Sequence, residues 1–74
     1  MKKQCRNDQL ITRIGIRLKQ IRIEKGFSQE KVYFDTEIHI GRIETSKYNI
    51  TVSTLYKLCE YYNVSLEDFF KDIE

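Results

Sequence analysis

The sequence has no proline, two cysteines, one histidine and three glycines in 74 residues. No proline and no low-complexity segment interrupts it, and strand signals are weak, so the recurring helix signals point to an all-helical domain. Cys5 and Cys59 stand far apart with no C-x-x-C, which excludes a zinc site or redox motif built on cysteine. A single disulfide between them stays open as an alternative. Two unpaired thiols in a reducing cytoplasm is the plainer reading. His39 is alone, and the residue four positions on is Ile43, so no metal is expected. A glycine-rich phosphate loop and a nucleophile–base pair at a recognisable spacing are both missing. The chain is also short for enclosing a pocket. No enzyme, cofactor or small-molecule substrate is therefore expected. No run approaches the roughly 18 apolar residues of a membrane span. The start, MKKQCRND, has no apolar run after its basic residues and does not read as a secretory signal. A cytoplasmic protein is expected.

What is present is charge, unevenly placed. Residues 1–25 carry eight basic residues (Lys2, Lys3, Arg6, Arg13, Arg17, Lys19, Arg22, Lys25) against Asp8 and Glu24, a balance of +6. The remainder carries five basic and nine acidic residues, a balance of −4. A basic half beside an acidic half suggests an anionic partner at one end, although a solvated helix face gives the same pattern. Seventy-four residues make one domain at most, with a limited core and marginal stability.

The helices can be read from their caps. Ile11, Ile14, Leu18 and Ile21 form one apolar stripe of a first helix from about Asp8 to Lys25, leaving Arg13, Arg17 and Lys19 to solvent. Gly26 ends it. Ser28 caps a second helix that starts at Gln29 and reaches Asp35 or Thr36, with Phe27 and Val32 at the staple positions. Thr51 caps a helix over about Val52 to Tyr62, with Val52, Leu55, Leu58, Cys59 and Tyr62 as its buried stripe and Asn63 closing it. Ser65 caps a last helix running to about Asp72, with Val64 stapled to Phe69.

The stretch FDTEIHIGRIE, 34–44, has neither proline nor a glycine turn where a corner is needed. Its context supplies a reading. The runs LKQIRIEKGFSQE (18–30), GRIETSKYN (41–49) and STLYKLCEYYNVSLEDFF (53–70) resemble the helix-turn-helix domain of the Cro/C1 repressor family. The resemblance implies a five-helix, all-α domain over 14–70, a basic extension over 1–13 that leads into the first helix, and a C-terminal end over 71–74. From Ser28 to Glu44 the chain is a few residues shorter than the family. Matching forward from Ser28 places Ile38 in the turn as an apolar plug and His39 at the cap of a shortened third helix. Matching backward from Glu44 makes Thr36 the cap and exposes Ile38. Periodicity favours the forward match.

The resemblance also implies roles. Arg22 and Glu44 match a structural ion pair that holds the third helix against the first. Ser28 and Gln29 match the start of the second helix, where the family meets the DNA backbone, and helix N-termini suit phosphate. His39, Gly41 and Arg42 fall nearest a major groove. Lys47, Tyr48 and Asn49 match the loop that follows, another usual phosphate contact. Gly41 costs roughly 1 kcal/mol against alanine inside a helix, and either close approach to phosphate or a neighbouring helix, or simply a cramped corner, accounts for it. On the last helix, Phe70 and Ile73 are expected to stay exposed if Leu66 and Phe69 turn inward. With Tyr61 or Tyr62 they would make an apolar patch of the kind that marks a dimer interface. The implied function is a sequence-specific regulator that binds double-stranded DNA as a homodimer. The competing reading is a protein-interaction module or antitoxin-like protein on the same scaffold, one that has given up base reading with its shortened helix.

Overall fold

The computed structural model describes residues 7–71 and Ile73. Among these it contains five helices and no strand: α1 (Asp8–Glu24), α2 (Gln29–Thr36), α3 (Ile40–Glu44), α4 (Val52–Tyr62) and α5 (Leu66–Lys71). The five-helix, all-α fold expected from the sequence is the one observed. Lys2, Lys3, Cys5, Arg6 and Asp72, which carried part of the charge, thiol and helix-end readings, lie outside the described residues.

Side-chain caps set the helix starts. Asn7 accepts from the Leu10 amide at 3.0 Å, Ser28 from Lys31 at 3.0 Å, Thr51 from Thr54 at 3.1 Å and Ser65 from Asp68 at 3.0 Å. Each occupies an amide that the first helical turn leaves without a partner. Gly26 (φ 77°) and Asn63 (φ 62°) end α1 and α4 in the left-handed region. Asp8 to Arg13 are the first turns of α1, and Ile11 among them is buried.

The core joins the stripe of α1 (Ile14, Leu18, Ile21) to Val32 of α2, Ile40 and Ile43 of α3, Leu55, Leu58 and Tyr62 of α4, and Phe69 of α5. Side chains of this size contribute roughly 1.5–3 kcal/mol each when fully buried. Cys59 is a free, buried thiol, and burial raises its pKa. A second set of contacts ties α2 to α4. The Tyr61 hydroxyl donates to the Asp35 carboxylate at 2.5 Å, Lys31 donates to the same oxygen at 3.1 Å, and the Lys57 ammonium reaches the Thr36 carbonyl at 3.4 Å.

Three expectations about exposure need correction. Val52 is 78% exposed instead of buried. It is the first residue of α4, and helical side chains lean toward the N-terminus, so it overhangs the helix start. Ile73 is buried rather than open to a partner. It follows Phe69 by four positions and shares its inward face, and its amide donates to the Phe70 carbonyl at 3.2 Å. Arg17 is partly buried rather than fully exposed to solvent.

Candidate nucleic-acid interface

The corner between α2 and α3 spans three residues, Glu37, Ile38 and His39. Thr36, the last residue of α2, is buried. Its hydroxyl donates to the Val32 carbonyl at 2.7 Å and accepts from the Ile38 amide at 3.1 Å. Glu37 then takes the left-handed conformation (φ 63°) that glycine usually supplies. Ile38 packs partly buried against the core from the turn, and His39 stands at the cap position of α3. The forward match is the one the chain adopts. Thr36 does not cap α3. His39 makes no side-chain capping bond. Its ring lies against Tyr33 of α2, with centroids 4.6 Å apart.

From behind, α3 is held by the expected ion pair. Arg22 Nε donates to Glu44 Oε2 at 2.6 Å and Nη2 to Oε1 at 3.1 Å, while Nη1 donates to the Phe27 carbonyl at 2.9 Å. The two side chains are only 11% and 3% exposed. Glu44 raises the already high pKa of Arg22 through this hydrogen bond. A bidentate, nearly dry pair of this sort fixes direction as well as distance.

The other candidate residues divide into separate places. His39, Arg42 and Tyr48 line one open cleft of about 280 Å³ together with Glu37, Ile38, Ile43 and Thr54. The lining thus combines the potential donors His39, Arg42, Tyr48 and Thr54 with the apolar Ile38 and Ile43 and the acidic Glu37. Gln29 and Gly41 lie away from that cleft's lining, and the Gln29 amide donates to Glu44 Oε1 at 3.0 Å. Ser28 spends its side chain on the cap of α2. Lys47 and Asn49 are exposed in the loop after α3. Asn49 borders a groove lined by Leu10, Ile11, Val52, Leu55 and Phe70.

The patch expected at the end of the fold is not assembled. Tyr61 is partly buried against Phe27, with ring centroids 5.5 Å apart, and is hydrogen-bonded to Asp35. Tyr62 is 1% exposed. Phe70 alone of that set stays open at 40%, and its neighbours along the groove are the exposed Leu10 and Val52. Sequence reasoning passed over Gly15, Glu37 and Tyr33. Only Gly15 carried a signal, since a glycine four residues after Ile11 lies on the apolar stripe, where a helix neighbour can come close.

Among the described residues no group of histidine, cysteine and acidic side chains is placed to hold a metal, and no helix is long and apolar enough to cross a membrane. No curated protein and no solved structure matches the chain significantly. A helix-turn-helix family model matches residues 18–69, which run from Leu18 in α1 to Phe69 in α5 and take in the whole α2–turn–α3 corner. The chain belongs to the Cro/C1-type helix-turn-helix family, whose domains are DNA-binding and regulatory.

Proposed function

We propose that this protein is a sequence-specific DNA-binding transcriptional regulator, a repressor or autoregulator, which acts in the cytoplasm as a homodimer on a roughly palindromic operator. The observation that carries the reading is the support behind α3. A buried Arg22–Glu44 pair anchors the helix while Arg42 and His39 remain exposed on it. Side chains so presented suit base edges, and Lys47, Tyr48 and Asn49 in the following loop suit phosphates. The homodimer reading draws on Phe70 with Leu10 and Val52, three exposed apolar side chains along one groove. Their combined open area, on the order of 300 Å², would form the apolar centre of a low-end interface and need a polar rim around it.

The brevity of α3 favours a second reading. Five residues present few side chains to a groove, and a scaffold without base reading would serve protein contacts, as in an antitoxin. A mobility-shift assay on random duplex at low and moderate salt separates the two. The DNA-binding reading expects complex formation that weakens as salt rises. Absence of a complex at low salt would leave the protein-interaction reading.

A further inference from the structure

Gln29 stands where the family match implies a contact to the DNA backbone, yet its side chain is engaged elsewhere. Its Nε2 donates to Glu44 Oε1, the same oxygen that accepts from Arg22 Nη2. The amide head also lies flat against α3: a Cβ added at Gly41 would come 3.3 Å from Gln29 Oε1, 3.6 Å from Cδ and 3.7 Å from Nε2. The Glu44 side chain is only 3% exposed although Gln29 itself lies at the surface. Phosphate accepts hydrogen bonds and gives none, so the Gln29 side chain could offer it one amide hydrogen, the one that Glu44 leaves free, beside the backbone amide at the start of α2.

We infer that Gln29 is a positioning residue for α3, laid across the space left by Gly41 and bonded to Glu44, so that base reading depends on it without direct contact. This rests on the DNA-reading function proposed above. The five-residue helix has no side-chain cap at His39, so its orientation depends on what grips its flanks. Arg22 grips from the α1 side and Gln29 from the α2 side. Gly41 is the second residue of α3, and a Cβ there would press on the Gln29 amide, which would have to give by a few tenths of an ångström.

The consequence separates positioning from phosphate contact. Loss of a phosphate contact weakens all sequences alike, whereas loss of orientation weakens the selected sequence most. The probes are a duplex selected by the wild-type protein from a randomised pool, and poly(dI-dC) as non-specific DNA. Gln29→Ala is expected to lower affinity for the selected duplex by about tenfold, the scale of one hydrogen bond to a charged group, with non-specific affinity nearly unchanged. Gln29→Met, which keeps the length and loses the donor, should behave as Gln29→Ala does. Equal losses on both probes would make Gln29 a phosphate contact and overturn the inference, as would no loss on either.

If the wild type selects no sequence, the DNA-reading proposal fails, and a thermal-melt cycle with Gly41 decides the positioning role by itself. In the wild type Gly41→Ala should gain little, because the new methyl presses on the Gln29 amide head 3.3 Å away. The same substitution should raise the midpoint in the Gln29→Ala background, where alanine's helix preference acts alone. The same shift in both backgrounds would show that Gly41 does not make room for Gln29.

Discussion

Helix α1 meets α3 backbone to backbone at Gly15 and Ile43. A Cβ on Gly15 would lie 2.6 Å from the Ile43 carbonyl oxygen and 3.3 Å from that of Glu44. Neither atom is the far end of a flexible side chain, so α3 itself would have to move. Gly15→Ala should therefore destabilise by about 1–3 kcal/mol, as overpacking does. The same change in an open helix interior gains roughly 1 kcal/mol. A urea midpoint at or above the wild-type value would show that α3 yields freely.

The corner before α3 stores a smaller cost. Glu37 sits in the left-handed region at φ 63°. Glu37→Gly should stabilise by about 0.5–1 kcal/mol, the net of relieved strain and a looser unfolded chain. Glu37→Ala keeps the strain and should change little. Ile38 packs against the core from the turn but is only partly buried. Ile38→Ala should cost about 1–2 kcal/mol, below the range of full core truncations. Thermal melts of the three variants give the order, and an unshifted Ile38→Ala would remove it as the plug of the corner.

Loss of Arg22 would leave the buried Glu44 carboxylate without its charged partner and still bonded to the Gln29 amide. Breaking such a pair costs about 3 kcal/mol, while removing an exposed charge costs under about 0.5 kcal/mol. Arg13, on the open face of α1, is the control, since Arg17 is partly buried. Denaturation midpoints of Arg22→Ala and Arg13→Ala should differ accordingly, and equal midpoints would show that Glu44 finds its support elsewhere.

The clamp between α2 and α4 has a pH signature at each end. The Tyr61 hydroxyl, and then Lys31, hold the Asp35 carboxyl below its usual range. A depressed folded pKa stabilises above the unfolded value of about 3.9, and that stability is lost as pH falls through the folded value. Burial first, and Asp35 second, push the Tyr61 phenol up to about 12. A raised phenol pKa stabilises fully below about 10, and that stability is lost as pH climbs toward the folded value. Tyr61→Phe should return Asp35 toward the ordinary carboxylate range, read by NMR titration of its carboxyl, and flatten the alkaline loss. An unmoved Asp35 titration would mean that the hydroxyl does not govern it.

Much of this fold is legible because its punctuation is local. Ser28, Thr51 and Ser65 each precede their helix by one position and bond an amide three residues on, so the cap, its helix and its direction are all written in four consecutive residues. The Arg22–Glu44 pair was found through the family resemblance, and its geometry supports the structural role assigned to it. Failures came where the answer lies between elements. Val52 and Ile73 occupy positions that periodicity treats like their neighbours, and only the helix ends decide that one overhangs and the other folds under. Tyr61 looked free to meet a partner because Asp35, which holds it, is 26 residues away. Glu37 gave no warning, since the turn asks for a left-handed residue and the sequence supplies no glycine. The Gln29–Gly41–Glu44 cluster needs α2 and α3 side by side before it exists.

The central claim is that a five-residue α3, with Arg42 outward in a cleft shared with His39 and Tyr48, still reads DNA sequence. Selection from a randomised duplex pool, run in parallel with the wild type, Arg42→Ala and Lys47→Ala, tests it most directly. The wild type should enrich two half-sites about one helical turn apart. Arg42→Ala should lose about 1–3 kcal/mol of preference at one position in each half-site. Lys47→Ala should weaken every duplex alike and reduce the salt slope by about one. A wild-type pool that stays random after repeated rounds, with complexes that form on every duplex equally, would contradict the claim.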